Sequence, residues 1–143
     1  MALPDHLTLE VATPLGLVLK TEATSVAAPS VHGEFGVFAG HLPLLAAVKP
    51  GLLKYRVGGK DHVAAVSAGF VEAGPTKVLL LTDQFAQPKD IDEAAVRSEL
   101  AEAEKALVAY KERHEGIRYE ELQRRIDWCN AQLTAKAASE KIL

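Results

Sequence analysis

Residues 33–45, Gly-Glu-Phe-Gly-Val-Phe-Ala-Gly-His-Leu-Pro-Leu-Leu, form the most distinctive stretch of this chain. Three glycines within eight residues indicate a backbone that bends sharply or lets another surface approach closely. Apolar side chains lie between the glycines, so the stretch is not a flexible linker. We predict an ordered loop whose apolar side chains belong mainly to the core, with one or two left exposed for a partner: Phe35, Val37, Phe38 and Leu42.

The residues on either side of this stretch, up to about residue 86, follow the period-2 pattern of half-buried strands. Leu7, Leu9 and Val11 alternate with polar or small residues, and a Gly58-Gly59 pair separates two later runs as in a β-hairpin. Proline and glycine turns bound the other runs. Many short strands at short spacing predict an antiparallel β-sandwich or flattened barrel over residues 1–87.

The C-terminal residues, 88–143, have a helical period instead. Apolar residues recur at steps of three and four on each side of Gly116, which predicts an antiparallel helical hairpin. Asp90, with Glu93 three residues later, is the predicted N-cap of the first helix. Both apolar stripes are narrow and rich in alanine, so we expect the hairpin to be marginally stable unless it packs on the sandwich or on a partner.

Composition excludes several classes of protein. The net charge of −3 and the ordinary charged fraction argue against a nucleic-acid binder. No apolar run approaches the length of a membrane span, so any membrane association is expected through a partner. The five histidines are scattered, and the single cysteine, Cys129, falls on an apolar helix face. We therefore predict no metal site, no catalytic residue, and a buried Cys129 that acts as a small apolar side chain.

Four segments, in register along nearly the whole chain, resemble the epsilon subunit of F-type ATP synthase, which is called delta in mitochondria. They are the strand at 7–12, the glycine stretch continued to Gly51, the paired segments 67–72 and 78–83, and the start of the C-terminal helices at 90–94. The resemblance implies a non-catalytic rotor subunit of the central stalk. Such a subunit couples rotation of the membrane-embedded c-ring to ATP synthesis in the catalytic head.

The resemblance also implies partners and a location. The sandwich is expected to bind the gamma subunit and the c-ring, and the hairpin to reach the alpha and beta subunits when it extends and inhibits ATP hydrolysis. The complex is expected at the cytoplasmic face of the bacterial inner membrane. The residues that match the c-ring side of the family are Glu34, Phe35, Gly36, His41 and Pro43. Without the resemblance, a solvated charge at Glu34 and a turn-fixing hydrogen bond at His41 are the simpler interpretations.

Some members of the family bind ATP on the folded hairpin through an Ile/Leu-Asp-x-x-Arg-Ala motif. Ile91 and Asp92 match this motif, but Ala95 and Val96 replace its last two residues. The lost guanidinium is the group best suited to bidentate contact with phosphate. We predict no cofactor and weak or absent ATP binding.

Arg124 and Arg125 are the remaining candidates for ATP binding. Each also has a glutamate four residues earlier, Glu120 and Glu121, so both arginines can form ordinary helix-surface ion pairs. A third possibility is contact with an acidic surface of the beta subunit when the hairpin extends. Two other functions remain open for the whole chain: a free nucleotide-sensing module that uses the hairpin as an ATP clamp, and an unrelated sandwich-plus-coiled-coil adaptor.

Overall fold

The computed structural model describes residues 5–111 and 117–142, with the side chain of residue 117 excepted. Within these residues the chain forms ten β-strands, a short 3₁₀ turn and two α-helices. In order they are β1 Leu7–Thr13, β2 Gly16–Ala23, β3 Ser25–Ser30, β4 Gly33–Phe38, β5 Leu44–Val48, β6 Gly51–Val57, β7 Lys60–Val66, β8 Gly69–Ala73, β9 Lys77–Thr82, β10 Phe85–Ala86, the turn Pro88–Asp90, α1 Glu93–Tyr110 and α2 Ile117–Ile142.

The strands form one continuous hydrogen-bonded order, β10-β7-β6-β3-β5-β8-β9-β1-β2, with β4 paired to the other edge of β3. The predicted β-sandwich or flattened barrel, followed by two helices, is confirmed. One detail differs from the antiparallel prediction. β1 pairs with β9 in parallel, with Leu9 opposite Val78, while the other described strand pairs are antiparallel.

The strand alternation places the sandwich core where the sequence predicts it. Leu7, Leu9 and Val11 are completely buried, and Leu53 and Leu80 reach the same core from β6 and β9. At about 25 cal/mol per Å² of apolar surface, each such leucine contributes on the order of 2 kcal/mol when it leaves water. This core fixes the faces of the strands and therefore the surfaces they present outside.

The first half of the glycine stretch is a strand, so the prediction of a loop is wrong for residues 33–38. β4 pairs with β3 over its whole length, from Gly33 opposite Ser30 to Phe38 opposite Ser25. Gly33 and Gly40 have positive φ, 119° and 84°, and provide the turns at the two ends of the strand. Alternation then directs successive side chains to opposite sides of β4.

Burial along this stretch divides the four predicted core residues. Val37 is buried and Phe35 packs partly against the core. Phe38 and Leu42 are 66% and 79% exposed, and they are the one or two residues that the prediction leaves outside the core. Phe38 comes directly after the buried Val37, so strand alternation turns its side chain outward. Leu42 lies beyond the end of β4.

The first helix begins two residues later than predicted. Asp92 is its N-cap and accepts a hydrogen bond from the Ala95 amide at 3.2 Å. Asp90, the predicted N-cap, lies instead in the 3₁₀ turn that Pro88 starts, where its amide donates to the Gln87 carbonyl. The φ angle of proline suits the first position of such a turn. Because the turn occupies Pro88–Asp90, the N-cap of α1 falls at Asp92 instead. The predicted break at Gly116 lies outside the described residues.

The helices lie on the sandwich. α2 packs on β6 and β7, and α1 packs on α2. A second apolar cluster joins the sandwich to the two helices and contains Ala65, Ile91, Val96, Cys129, Ala131 and Ala135. The predicted burial of Cys129 is confirmed, since its side chain is fully enclosed. Lys136 adds a polar tie, because its Nζ donates to the Pro88 carbonyl at 3.0 Å.

Candidate partner interfaces

The five residues matched to the c-ring side lie in one continuous strip of chain. Glu34, Phe35 and Gly36 belong to β4, and His41 and Pro43 follow it. Among the described strands β4 pairs with β3 alone, so its second edge is free. We call this segment, residues 34–43, the edge strip. An unpaired strand edge presents backbone donors and acceptors to a neighbouring molecule.

The polar groups of the edge strip have local partners. The Glu34 carboxylate forms an ion pair with Lys54 Nζ at 3.1 Å, with both side chains about half exposed. The His41 Nδ1 forms a hydrogen bond with the Leu42 carbonyl. Exposed ion pairs contribute little free energy, typically about 0–1 kcal/mol, so Glu34 can exchange Lys54 for a partner's donor at small cost. The assignment of these residues to a c-ring contact stays a prediction.

A second surface, which the sequence did not reveal, lies on the outer side of β5-β8-β9-β1-β2. Phe70 stands opposite Ala47 on one side and Leu81 on the other, Leu81 stands opposite Ala12, and Ala12 stands opposite Leu17. We call this row of five residues the apolar face. Phe70, Leu81 and Leu17 are 58%, 50% and 57% exposed. Contiguous exposed apolar side chains mark interaction surfaces in proteins.

The residues of the apolar face can be read from the sequence, but their exposure on the outside of the sandwich cannot. Phe70 and Leu81 fall in segments 67–72 and 78–83, which carry the family resemblance. A period-2 pattern tells which residues share a side of a strand, but not which side another element covers. The larger contacts of α2 with the sandwich are with β6 and β7, whereas Phe70, Leu81 and Leu17 on other strands stay about half exposed.

The residues of the ATP-motif remnant have structural roles. Ile91 is buried in the cluster beneath the hairpin, and the Asp92 carboxylate caps α1. Ala95 is exposed and supplies the amide that Asp92 binds. Val96 is buried, so the motif alanine at this position would leave a gap in the cluster.

The two candidate arginines lie on α2 and pair differently. Arg124 forms the predicted helix-surface pair with Glu120, at 3.8 Å. Arg125 reaches across to Glu99 on α1, at 3.5 Å, so the predicted Glu121–Arg125 pair is wrong. Helix packing brings Glu99 within reach of Arg125, and local spacing alone does not contain that information.

The described residues hold neither a grouping of three or more side chains suited to a metal ion nor a helix long and apolar enough to cross a bilayer. Burial raises the pKa of the Cys129 thiol, which keeps it protonated and poorly nucleophilic. The thiol therefore acts as packing in the apolar cluster.

The fold and its open surfaces define a binding subunit in which a β-sandwich carries a helical hairpin. A family model described as the ATP synthase Delta/Epsilon chain β-sandwich domain matches residues 6–88. Curated relatives extend the similarity. The "ATP synthase epsilon chain" of Nitratidesulfovibrio vulgaris strain DP4 is 40% identical over 105 residues, which cover 73% of this chain and 78% of the relative. That of Anaeromyxobacter dehalogenans strain 2CP-C is 36% identical over 110 residues, covering 77% and 83%.

The chain belongs to the ATP synthase delta/epsilon family, and it is a non-catalytic subunit of that complex. Solved structures support the fold. A chain in the Euglena gracilis mitochondrial ATP synthase, in a structure of its OSCP/F1/c-ring part, superimposes with a TM-score of 0.78 at 20% identity. That match covers 97% of this chain and 84% of the other. The family predicted from the sequence is confirmed.

Proposed function

We propose that this subunit is the rotor element that couples c-ring rotation to ATP synthesis, held between the gamma subunit and the c-ring at the cytoplasmic face of a bacterial inner membrane. The observation that supports this proposal is the uncovered apolar face on a sandwich whose other side carries the hairpin. The apolar face suits a permanent partner, because its three large side chains, Phe70, Leu81 and Leu17, are still about half exposed and burial of apolar surface gains about 25 cal/mol per Å². We assign the apolar face to gamma.

The edge strip is the proposed contact with the c-ring. Its charged and imidazole groups suit polar loops better than an apolar surface. β4 connects to the apolar face through β3 and β5, which pairs with β8, so backbone hydrogen bonds run unbroken between the two surfaces. Such a ladder is stiff, and stiffness is what the transfer of torque from one partner to the other requires.

The test of the gamma assignment is a pair of charge substitutions on the apolar face, Phe70→Glu and Leu81→Glu. We expect at least about a hundredfold weaker binding to gamma, because two buried carboxylates would lack partners. Val108→Glu on α1 is the matched control, since Val108 is an apolar residue away from the face and is 66% exposed. Unchanged binding by the doubly substituted chain would contradict the assignment.

The hairpin is the proposed regulatory element, which restrains ATP hydrolysis when it extends toward the alpha and beta subunits. Extension of the hairpin separates α1 from α2 and so breaks the Arg125–Glu99 pair, and departure of α2 breaks the Lys136 bond to Pro88; both contacts are partly exposed and therefore individually weak. The test adds the intact chain, or a version ending at Pro88, to the epsilon-depleted catalytic head. Suppression by the intact chain alone supports the regulatory role, whereas equal suppression by both versions contradicts it.

Arg124 and Arg125 are the proposed contacts of the extended hairpin with an acidic beta-subunit surface. Both side chains are partly exposed, and each forms an ion pair, with Glu120 and Glu99 respectively, that a carboxylate of the beta subunit can replace. Reversal of both charges to glutamate is expected to abolish suppression without loss of gamma binding. Unchanged suppression of hydrolysis would exclude this role.

ATP binding by this subunit is proposed to be weak or absent. Ala95 replaces the motif arginine and lies on the surface, so no guanidinium projects from this position of α1. A calorimetric titration with ATP tests this directly. Ala95→Arg is the informative variant: a gain of binding with this change shows that the missing arginine limits affinity, whereas tight binding by the unchanged chain contradicts the proposal.

A further inference from the structure

A groove lies between the tip of the β6–β7 hairpin and the C-terminal end of α2. It consists of two adjoining cavities, of about 430 and 650 Å³, which share Tyr55, Arg56 and Ile142 among their walls. It is separate from the apolar face and the ATP-motif remnant, and it borders the edge strip, because Gly36, Val37 and Phe38 line it. Volumes of several hundred Å³ are typical of small-molecule sites.

The floor of the groove is apolar. Ala27 and Gly36 are neighbours across β3 and β4, and Ala138 and Ile142 contribute the opposite wall from α2. The Tyr55 and His62 rings are stacked at 5.2 Å with an interplanar angle of 14°, which gives one wall a flat aromatic surface. This geometry accommodates an apolar body of modest size.

The rim of the groove is positive. Five cationic side chains line the two cavities, together with one carboxylate, that of Asp61: the cations are Lys54, Arg56, Lys60, Lys89 and Lys141. The whole chain carries a net charge of −3, so the excess of positive charge at the groove is opposite in sign to the net charge of the protein. A cleft lined by one sign of charge concentrates counter-ions of the other sign.

Part of this charge is available to a ligand. Arg56 pairs with Asp61 at 2.8 Å, and Lys54 pairs with Glu34 at 3.1 Å, with all four side chains about half exposed. Within the described residues, the three other lysines of the rim form no ion pair. The carbonyl end of α2 adds partial negative charge, which Lys141 in its last turn offsets.

We propose that this groove binds a small organic anion with an apolar body, of the class of medium-chain carboxylates. The apolar floor would hold the chain of such a molecule, and Arg56, Lys141 and Lys60 would face its head group. The proposal goes beyond the rotor function, because it needs neither the apolar face nor contact with another subunit, although the groove shares Gly36 with the edge strip.

The test is titration of the full chain with decanoate, followed by calorimetry and by amide chemical shifts. We expect saturable binding with shifts centred on Lys54, Tyr55, His62 and Ala138. Decanol, which has the same chain and no charge, is expected to bind about tenfold more weakly or worse. Equal binding of decanol, shifts centred on Phe70 and Leu81, or displacement of decanoate by equimolar ATP would each overturn the proposal.

Substitutions locate the site independently. Arg56→Gln combined with Lys141→Gln is expected to weaken decanoate binding about tenfold, whereas Lys20→Gln, an exposed lysine on β2, leaves it unchanged. Gly36→Leu fills the floor, where a side chain meets open space. Ala138→Leu fills the groove from α2 and serves as the second variant if Gly36→Leu does not fold. Full binding by a folded filled variant would contradict the proposed position.

Discussion

Gly69 shows what a single residue contributes beneath the apolar face. A Cβ at this position would lie 1.8 Å from the Leu81 carbonyl oxygen, a distance that no side chain can occupy. The glycine therefore lets β8 and β9 approach closely and sets the spacing of Phe70 and Leu81 above them. The sequence identified the segment by resemblance, but the physical need for glycine follows only from the strand pairing.

We predict that Gly69→Ala lowers the free energy of unfolding by about 3 kcal/mol, because the backbone of β8 or β9 must shift. Gly36→Ala is the matched control, since a Cβ on Gly36 meets nothing within 4 Å and its backbone is an ordinary strand. Urea unfolding followed by circular dichroism measures both variants. Equal stability of the two would show that the sandwich absorbs the collision without cost.

At the scale of elements, local pattern predicted most strands and both helices. It missed β4, because three residues of Gly-Glu-Phe-Gly carry little strand preference and the pairing with β3 supplies the stability. It also misplaced the helix start, since Asp90 and Asp92 both precede a suitable run. A proline-initiated turn decided between them, and that choice depends on backbone geometry rather than on composition.

The cap can be tested directly. Asp92→Ala is expected to cost about 1 kcal/mol of stability, because the Ala95 amide loses its acceptor. Asp90→Ala should change stability by less than about 0.5 kcal/mol, as is usual for an exposed side chain without a structural role. Thermal unfolding of the two variants separates the possibilities. A larger loss of stability for Asp90→Ala than for Asp92→Ala would mean that Asp90 is the N-cap, as the sequence predicted.

Cys129 reports on whether the hairpin is docked. The thiol is fully buried and its pKa is raised by burial, so we expect a thiol reagent such as DTNB to react only when α2 opens. Ala135→Asp puts a carboxylate into the same cluster and should speed the reaction about tenfold or more, since about 1.4 kcal/mol raises the open population tenfold. Ala137→Asp, on the exposed side of α2, is the control. Fast reaction of the unchanged chain would mean that the hairpin is mostly undocked.

Across the whole molecule, stability is expected to be uneven. α1 packs on α2 alone among the larger contacts, whereas the central strands of the sandwich have neighbours on both edges. The sequence predicted this ranking through the narrow, alanine-rich stripes of the helices. It could not predict that Arg125 joins α2 to α1 or that Lys136 holds α2 to the turn before α1, because their partners, Glu99 and Pro88, are distant along the chain.

Hydrogen exchange should therefore separate the two units. We expect the amides of α1 to exchange through an opening that costs less free energy than the opening of β1, β8 or β9. Exchange followed by mass spectrometry at several denaturant concentrations measures this difference. Identical opening free energies in α1 and β1 would mean that hairpin and sandwich unfold as one cooperative unit, which would weaken the case for a releasable hairpin.

The parallel pairing of β1 with β9 also governs how the chain is made. Leu9 has Val78 as its neighbour, so the first strand waits for almost the whole sandwich to be synthesised before that side is filled. At the usual pace of translation this delay is roughly 4–14 s, and until then β1 has only the hairpin with β2, a marginal structure by itself. α2, by contrast, is made after β6 and β7, the strands on which it packs, and α1 waits only for α2. The nascent chain is therefore most exposed to aggregation before β9 pairs with β1. We expect substitutions in β9 to reduce the yield of folded protein more than substitutions in α1.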